Sequence, residues 1–96
     1  MKVSFTETAL AEIEEIFAYI ATHNVTAAAA VVDRVQRVIA RLEDFPLTGH
    51  STDEPGVRIV PVVRYPYLIF YAVADEEVVV LHVRHGARKR PWEEER

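Results

Sequence analysis

The side chains best equipped for chemistry in this chain gather in one stretch, VLHVRHGARKRPW at residues 80–92, where His82, Arg84, His85, Arg88, Lys89 and Arg90 stand close together. Guanidinium groups at that density can clamp a phosphate or meet carboxylates, and a histidine can act as a general base or hydrogen-bond donor. Other chemistries find no support. His23 and His50 stand alone, without the short spacing to a carboxylate that a zinc-binding helix requires. His82 and His85, an odd number of residues apart, face opposite sides of a continuing strand and cannot grip one ion, so no metal site is expected. The three glycines are too dispersed for a phosphate-cradling loop. Ser4 and Ser51 lack the setting of an activated nucleophile, and the absence of cysteine removes thiolate chemistry and disulfides. No cofactor is expected.

The formal net charge of −4 hides an uneven distribution. Residues 1–56 hold four basic and nine acidic side chains, whereas 57–92 hold six and three. Arg58 and Arg64 precede the main cluster, so a fold that brings strand ends together would form one cationic patch. Overall acidity weighs against broad nucleic-acid affinity and favours the acidic groups of a protein partner. The acidic run at residues 93–95 is expected to be a solvated tail. No apolar stretch is long enough to span a bilayer, and the opening residues lack the cationic and apolar parts of a leader, which points to a cytoplasmic protein.

These side chains must be positioned by a single domain covering residues 1–96, half of whose residues are hydrophobic. Residues 1–5 read as a short strand, with Thr6 as helix cap. Leu10, Ile13, Phe17 and Ile20, widened by Ala9 and Ile16, form the apolar stripe of a first helix, with Glu12, Glu14 and Glu15 turned away. After HNVT, where Asn24 or Thr26 can cap, Val31, Val35, Val38 and Leu42 mark a second helix, with Ile39 beside them. The short link predicts an αα-hairpin. A loop, DFPLTGHSTDEPG, leads to three β-rich segments, VRIVPVV, YLIFYAV and EVVVLHV, joined tightly enough to run antiparallel. Pro61 predicts an edge or a bulge in the first of them.

The fold class is therefore α+β, in the order β-α-α-β-β-β, with the helical hairpin on one face of the sheet. Both alternating sets of YLIFYAV are apolar: Leu68, Phe70 and Ala72 on one side, Tyr67, Ile69, Tyr71 and Val73 on the other. Two helices cover one face only. An exposed apolar surface bound by a protein partner is the expectation, a packed C-terminal tail being the bland alternative.

That element order, together with YPYLIFYAVADEEVVVLHVRHGARKRP and its closing HGAR, resembles the RelE/ParE superfamily of toxins from type II toxin–antitoxin systems. The resemblance covers nearly the whole chain. It implies a small toxin neutralised by a cognate antitoxin, ParD-like, whose extended tail wraps it. It also implies one of two actions: messenger RNA cleavage on the ribosome in RelE-like members, or inhibition of DNA gyrase by binding in ParE-like ones.

The nuclease pattern places an arginine where this chain has Leu68 and a terminal tyrosine where it has Glu94. Its lysines are represented only by Arg58, beside apolar Val60, and Arg88 matches its arginine after the glycine. Cleavage without those groups would lose most of its proton transfer and charge stabilisation. The ParE-like, non-enzymatic alternative is favoured. A degenerate ribonuclease would have to use Arg58, Arg84, His85 and Arg88, and an inactive paralogue that only binds antitoxin is the third possibility. The residues expected to meet target or antitoxin are Tyr67, Ile69, Tyr71, Arg84, Arg88, Lys89, Arg90 and Trp92. Direct nucleic-acid contact is expected only through the ribosome in the nuclease alternative.

Overall fold

The computed structural model describes residues 1–94. The chain runs β1 (Lys2–Phe5), α1 (Glu7–Ala21), α2 (Val25–Arg41), β2 (His50–Ser51), β3 (Arg58–Pro61), β4 (Tyr67–Ala74), β5 (Glu77–His85) and α3 (Pro91–Glu94). The expected α+β plan is present, with two additions the sequence pattern had not separated from loop and tail: the two-residue β2 and the short α3. One sheet orders the strands β1-β5-β4-β3-β2. β1 lies parallel to β5, and the other pairings are antiparallel.

Local chemistry explains the boundaries. Thr6 caps α1 by accepting the Ala9 amide at 3.0 Å, while its own hydroxyl donates to the Leu81 carbonyl at 3.0 Å. One residue thus starts the helix and ties it to β5. Asn24 caps α2, accepting the Ala27 amide at 2.9 Å, which decides between the two candidate caps. The β4–β5 turn puts Asp75 and Glu76 at φ 50° and 62°, both left-handed, a geometry that matches the twist of a tight hairpin. Pro61 sits past the end of β2, which pairs only with Arg58 and Ile59, so its lost amide falls where β3 has a strand on one side.

The helices pack on one sheet face. Ala9, Val31, Val35, Ile39, Ile69, Val80 and Val83 are buried there, joined by half-buried Ile13, Ile16 and Ile20. This corrects the expected stripe of α1: Leu10 and Phe17 are 49% and 38% exposed, and Glu12, expected outside, is buried. Small Ala9 lets the helix approach the sheet, and the resulting rotation turns positions 9, 12, 13 and 16 inward. Near the far end, Tyr71 is fully buried, donating to the Pro46 carbonyl at 2.8 Å and accepting the Gly49 amide at 2.9 Å. Gly49 is required at that point, because a Cβ there would stand 2.8 Å from the Ile59 carbonyl oxygen.

The opposite face is also covered in part, by the chain itself. Trp92 from α3 stacks edge-on to Phe70 with centroids 5.9 Å apart, and Phe70 is left 2% exposed. Pro91 is buried beside it, and the Arg90 guanidinium lies 5.8 Å from the Phe70 ring centre. The expectation of a bare apolar face is therefore corrected around Phe70, where the packed tail prevails. A short segment carrying one large aromatic hides more apolar surface than the sheet alone could shed.

Candidate functional site

The site begins with a break in the β4–β5 ladder. Phe70 pairs with His82 and Tyr71 with Val80, so Leu81 is an extra residue, a bulge that switches which side chains of β5 face the helices. β1 pairs no further along β5 than Val80. The edge of β5 beyond that point is met by Glu12 of α1, whose Oε1 accepts the Val83 amide at 3.1 Å and lies 3.1 Å from His82 Nδ1. Its Oε2 accepts from Arg84 Nε at 2.9 Å.

The network continues into the tail. Glu94 receives two hydrogen bonds from Arg88, at 2.8 and 3.1 Å, and lies 3.0 Å from Arg84 Nη1, close enough for an ion pair though poorly aligned as a hydrogen bond. Arg88 and, less strongly, Arg84 hold the Glu94 carboxyl below its ordinary value. The same bond raises Arg88 above its already high value. These contacts change the meaning of the basic cluster. Arg84 is only 9% exposed, gripped between two carboxylates, and Glu94 is its counterion instead of part of a free acidic tail. Glu95, the last of the expected acidic run, lies outside the described residues.

A concavity of about 320 Å³ opens between α1 and the end of β5. Glu12, Glu15, Ile16 and Tyr19, spaced so as to share one helical face, form one wall, and Tyr67 with His85 forms the other. Tyr67 and His85 are paired across the strands with rings edge to face, 5.8 Å apart. His85 Nδ1 accepts the Ala87 amide at 3.0 Å, which leaves Nε2 to carry the proton of the neutral ring. Burial, then the neighbouring Tyr19, push the Tyr67 phenol above its ordinary value. Tyr67, Arg84, His85 and Arg88 of this lining were among the expected residues, and the α1 wall was missed because Tyr19 and Glu15 look like plain solvent-facing residues until the bulge and the rotation of α1 bring β5 opposite them.

A second surface lies at the other end. Arg41, Phe45, Pro46, Leu47 and Thr48 line a hollow of about 410 Å³, and Arg41 and Thr48 also border a neighbouring one with Val38, Val60, Pro61 and Val63. Phe45, Leu47 and Val63 are 59%, 64% and 54% exposed. An apolar patch with an arginine at its centre is the composition of a protein-binding face. Here the sequence offered only a loop rich in proline and glycine.

The expected residues therefore separate. Ile69 and Tyr71 are 0% exposed beneath the helices, and Arg84 and Trp92 are buried by the tail and its ion pairs, so none of these four presents a contact surface. Tyr67 and Arg90 are half-buried, and His85, Arg88 and Lys89 are exposed. Arg58 is not part of this group: its Nη1 donates to the Leu47 and Gly49 carbonyls at 3.3 and 2.8 Å, bracing the loop after α2. Among the described residues, no cluster of histidine and acidic side chains could hold a metal ion.

Comparison with known proteins decides what frame this geometry belongs to. Residues 3–90 match the family described as the ParE toxin of the type II toxin–antitoxin system parDE. The chain belongs to the ParE toxin family. A relative from Sinorhizobium fredii named "Putative toxin Y4kP" is 30% identical over 90 residues, covering 94% of this chain and 93% of that protein. Two solved structures share the fold. The chromosomal ParDE system of P. aeruginosa aligns with a TM-score of 0.79 at 22% identity, over 88% of this ParE-family chain and 95% of that one. The intact E. coli RelBE toxin–antitoxin complex aligns with a TM-score of 0.70 at 18% identity, over 91% and 98%. The expected superfamily and its fold class hold, and in this ParE-family chain Arg84 and Arg88 of the basic cluster are tied to Glu12 and Glu94 while Lys89 stays exposed.

Proposed function

We propose that this protein is a toxin of the ParE type that inhibits DNA gyrase by binding it, without catalysing a reaction, and that a cognate antitoxin neutralises it. The observation that carries the reading is how the residues a nuclease would need are occupied. Arg58 braces two loop carbonyls, Arg84 is held by Glu12 and Glu94, and Arg88 is bound twice by Glu94. His85 Nδ1 already accepts an amide, so its neutral ring donates at Nε2 and does not act as a base there. A phosphate entering would have to break these pairs before meeting a free cation. Phosphoryl chemistry needs such groups preorganised, so binding is the better-supported action.

The exposed patch of Phe45, Leu47 and Val63 around Arg41 supports a protein partner, and we assign it to the apolar anchors of the antitoxin. Lys89, Arg88 and the accessible part of Tyr67 remain as target-facing candidates. A supercoiling assay with purified gyrase tests the reading: inhibition saturating with toxin and relieved by antitoxin is expected. Normal turnover at saturating toxin, together with new 5′ ends on ribosome-bound message, would replace it with the ribonuclease alternative. Normal growth on expression without antitoxin would point instead to an inactive antitoxin-binding paralogue.

A further inference from the structure

The concavity between α1 and the end of β5 is separate from the apolar antitoxin surface, and it holds Tyr67 and Arg88, two of the candidates named above for facing the target. Its arginines look at first like a site for an anion, yet both are committed. Arg84 lies between Glu12 and Glu94, and Arg88 is bound in bidentate fashion by Glu94. The carboxylate left over is Glu15, which is exposed and makes no hydrogen bond or ion pair among the described residues, although it lies near enough to Arg88 to help raise it. The two guanidinium groups in the lining are met by Glu12 within it and by Glu94 from outside it, so the carboxylates outnumber the guanidinium groups by one once Glu94 is counted, and Glu15 is the one left without a partner among the described residues. An incoming carboxylate or phosphate would face that charge and find its partners taken.

The remaining walls are aromatic. Tyr19 is 74% exposed on the rim, an expensive place for a large ring that serves no packing role. Tyr67 stands across from it; a phenol is neutral at physiological pH without any help, and burial, then Tyr19, push its titration further upward. Neutral tyrosine rings present electron-rich faces, and such faces beside an uncommitted carboxylate attract a cation. A volume of about 320 Å³ is at the lower limit of small-ligand sites, which suits one long side chain and excludes a helix.

We propose that this pocket receives a single arginine or lysine side chain of the protein partner, held over the Tyr19 and Tyr67 rings with Glu15 as its counter-charge. Ile16, in the α1 wall, gives the methylene stem an apolar bed. The pocket then serves as a polar register mark at a distance from the apolar anchors on Phe45 and Leu47. As a statement about the antitoxin, the proposal rests on the toxin reading above; as a statement about the pocket, it does not.

The test uses the full-length chain and aromatic-region NMR. N-acetyl-arginine amide is titrated against its uncharged citrulline counterpart and against inorganic phosphate. Saturable shifts at Tyr19 and Tyr67 with the arginine probe alone are expected, weakened roughly two- to fivefold in each of Tyr19→Leu and Glu15→Gln. Both positions are exposed, so neither variant is expected to disturb the fold, and circular dichroism checks it. Equal response to citrulline, response to phosphate instead, or no response at these rings would overturn the proposal. A second arm measures affinity of the same variants for the cognate antitoxin: a matching loss supports the partner assignment, and unchanged affinity removes it. The gyrase and growth assays are read separately, so a protein that proved not to be a toxin would still be judged on the arginine titration.

Discussion

At the scale of single residues, Glu12 shows how far a side chain's role can depend on its neighbours. On the helix it falls among other glutamates, and nothing in its sequence surroundings sets it apart from Glu14 and Glu15. In the fold it closes the open edge of β5, accepting from Val83 and Arg84, and is 7% exposed. Removing it would leave Arg84 as a buried, poorly compensated charge. Glu12→Ala is expected to destabilise the protein by about 3 kcal/mol or more in urea denaturation, and the double change Glu12→Leu with Arg84→Met to recover much of that loss. Tyr71 makes a similar case with uncharged groups. Tyr71→Phe keeps the ring but strands the Gly49 amide and the Pro46 carbonyl, for an expected loss of about 1–3 kcal/mol. Tyr71 was legible as apolar, but not as a pin for a loop some twenty residues away, because sequence spacing says nothing about which carbonyl a phenol will reach.

At the scale of elements, the αα-hairpin and the β4–β5 hairpin follow from local chemistry: capping by Thr6 and Asn24, and paired left-handed residues at the turn. The short α3 does not. PWEE has too few residues to be stable alone, and it exists because Trp92 finds Phe70 and Glu94 finds Arg84 and Arg88. Its attachment should therefore respond to acid. The folded Glu94 carboxyl titrates below its unfolded value, so its contribution is present above the ordinary carboxylate range and fades as pH falls through the depressed folded value. Trp92 fluorescence is expected to show loosening of the tail below about pH 4 while far-ultraviolet circular dichroism of the long helices persists. Glu94→Gln should produce the same loosening near neutral pH. Trp92 also carries a buried indole N–H without a hydrogen-bond partner among the described residues, so Trp92→Phe should be far milder than Trp92→Ala in thermal denaturation.

At the scale of the whole molecule, the tail covers Phe70 on the outer sheet face, and the exposed apolar side chains Phe45, Leu47 and Val63, which we assign to the antitoxin, lie away from it. Phe45→Ser with Leu47→Ser is expected to leave thermal stability nearly unchanged, since both side chains are solvent-facing, and to weaken antitoxin binding at least tenfold in a calorimetric titration. An unchanged affinity would move the interface away from the α2–β3 end. The order of the six main elements, the α+β class, the Thr6 cap and the apolar character of the β-hairpin were determined by the sequence alone, because each depends on residues within a few positions of one another, whereas β2, α3 and the choice of Asn24 over Thr26 were not. Which face of α1 turns inward, where the bulge redirects β5, and which acids neutralise the arginines were decided only by tertiary structure. Electrostatic pairing joins groups by distance in space: Glu12 and Arg84 are 72 residues apart along the chain and 2.9 Å apart in the fold. A count of charges along the sequence therefore saw a cationic edge, where the folded protein ties two of its arginines, Arg84 and Arg88, to Glu12 and Glu94.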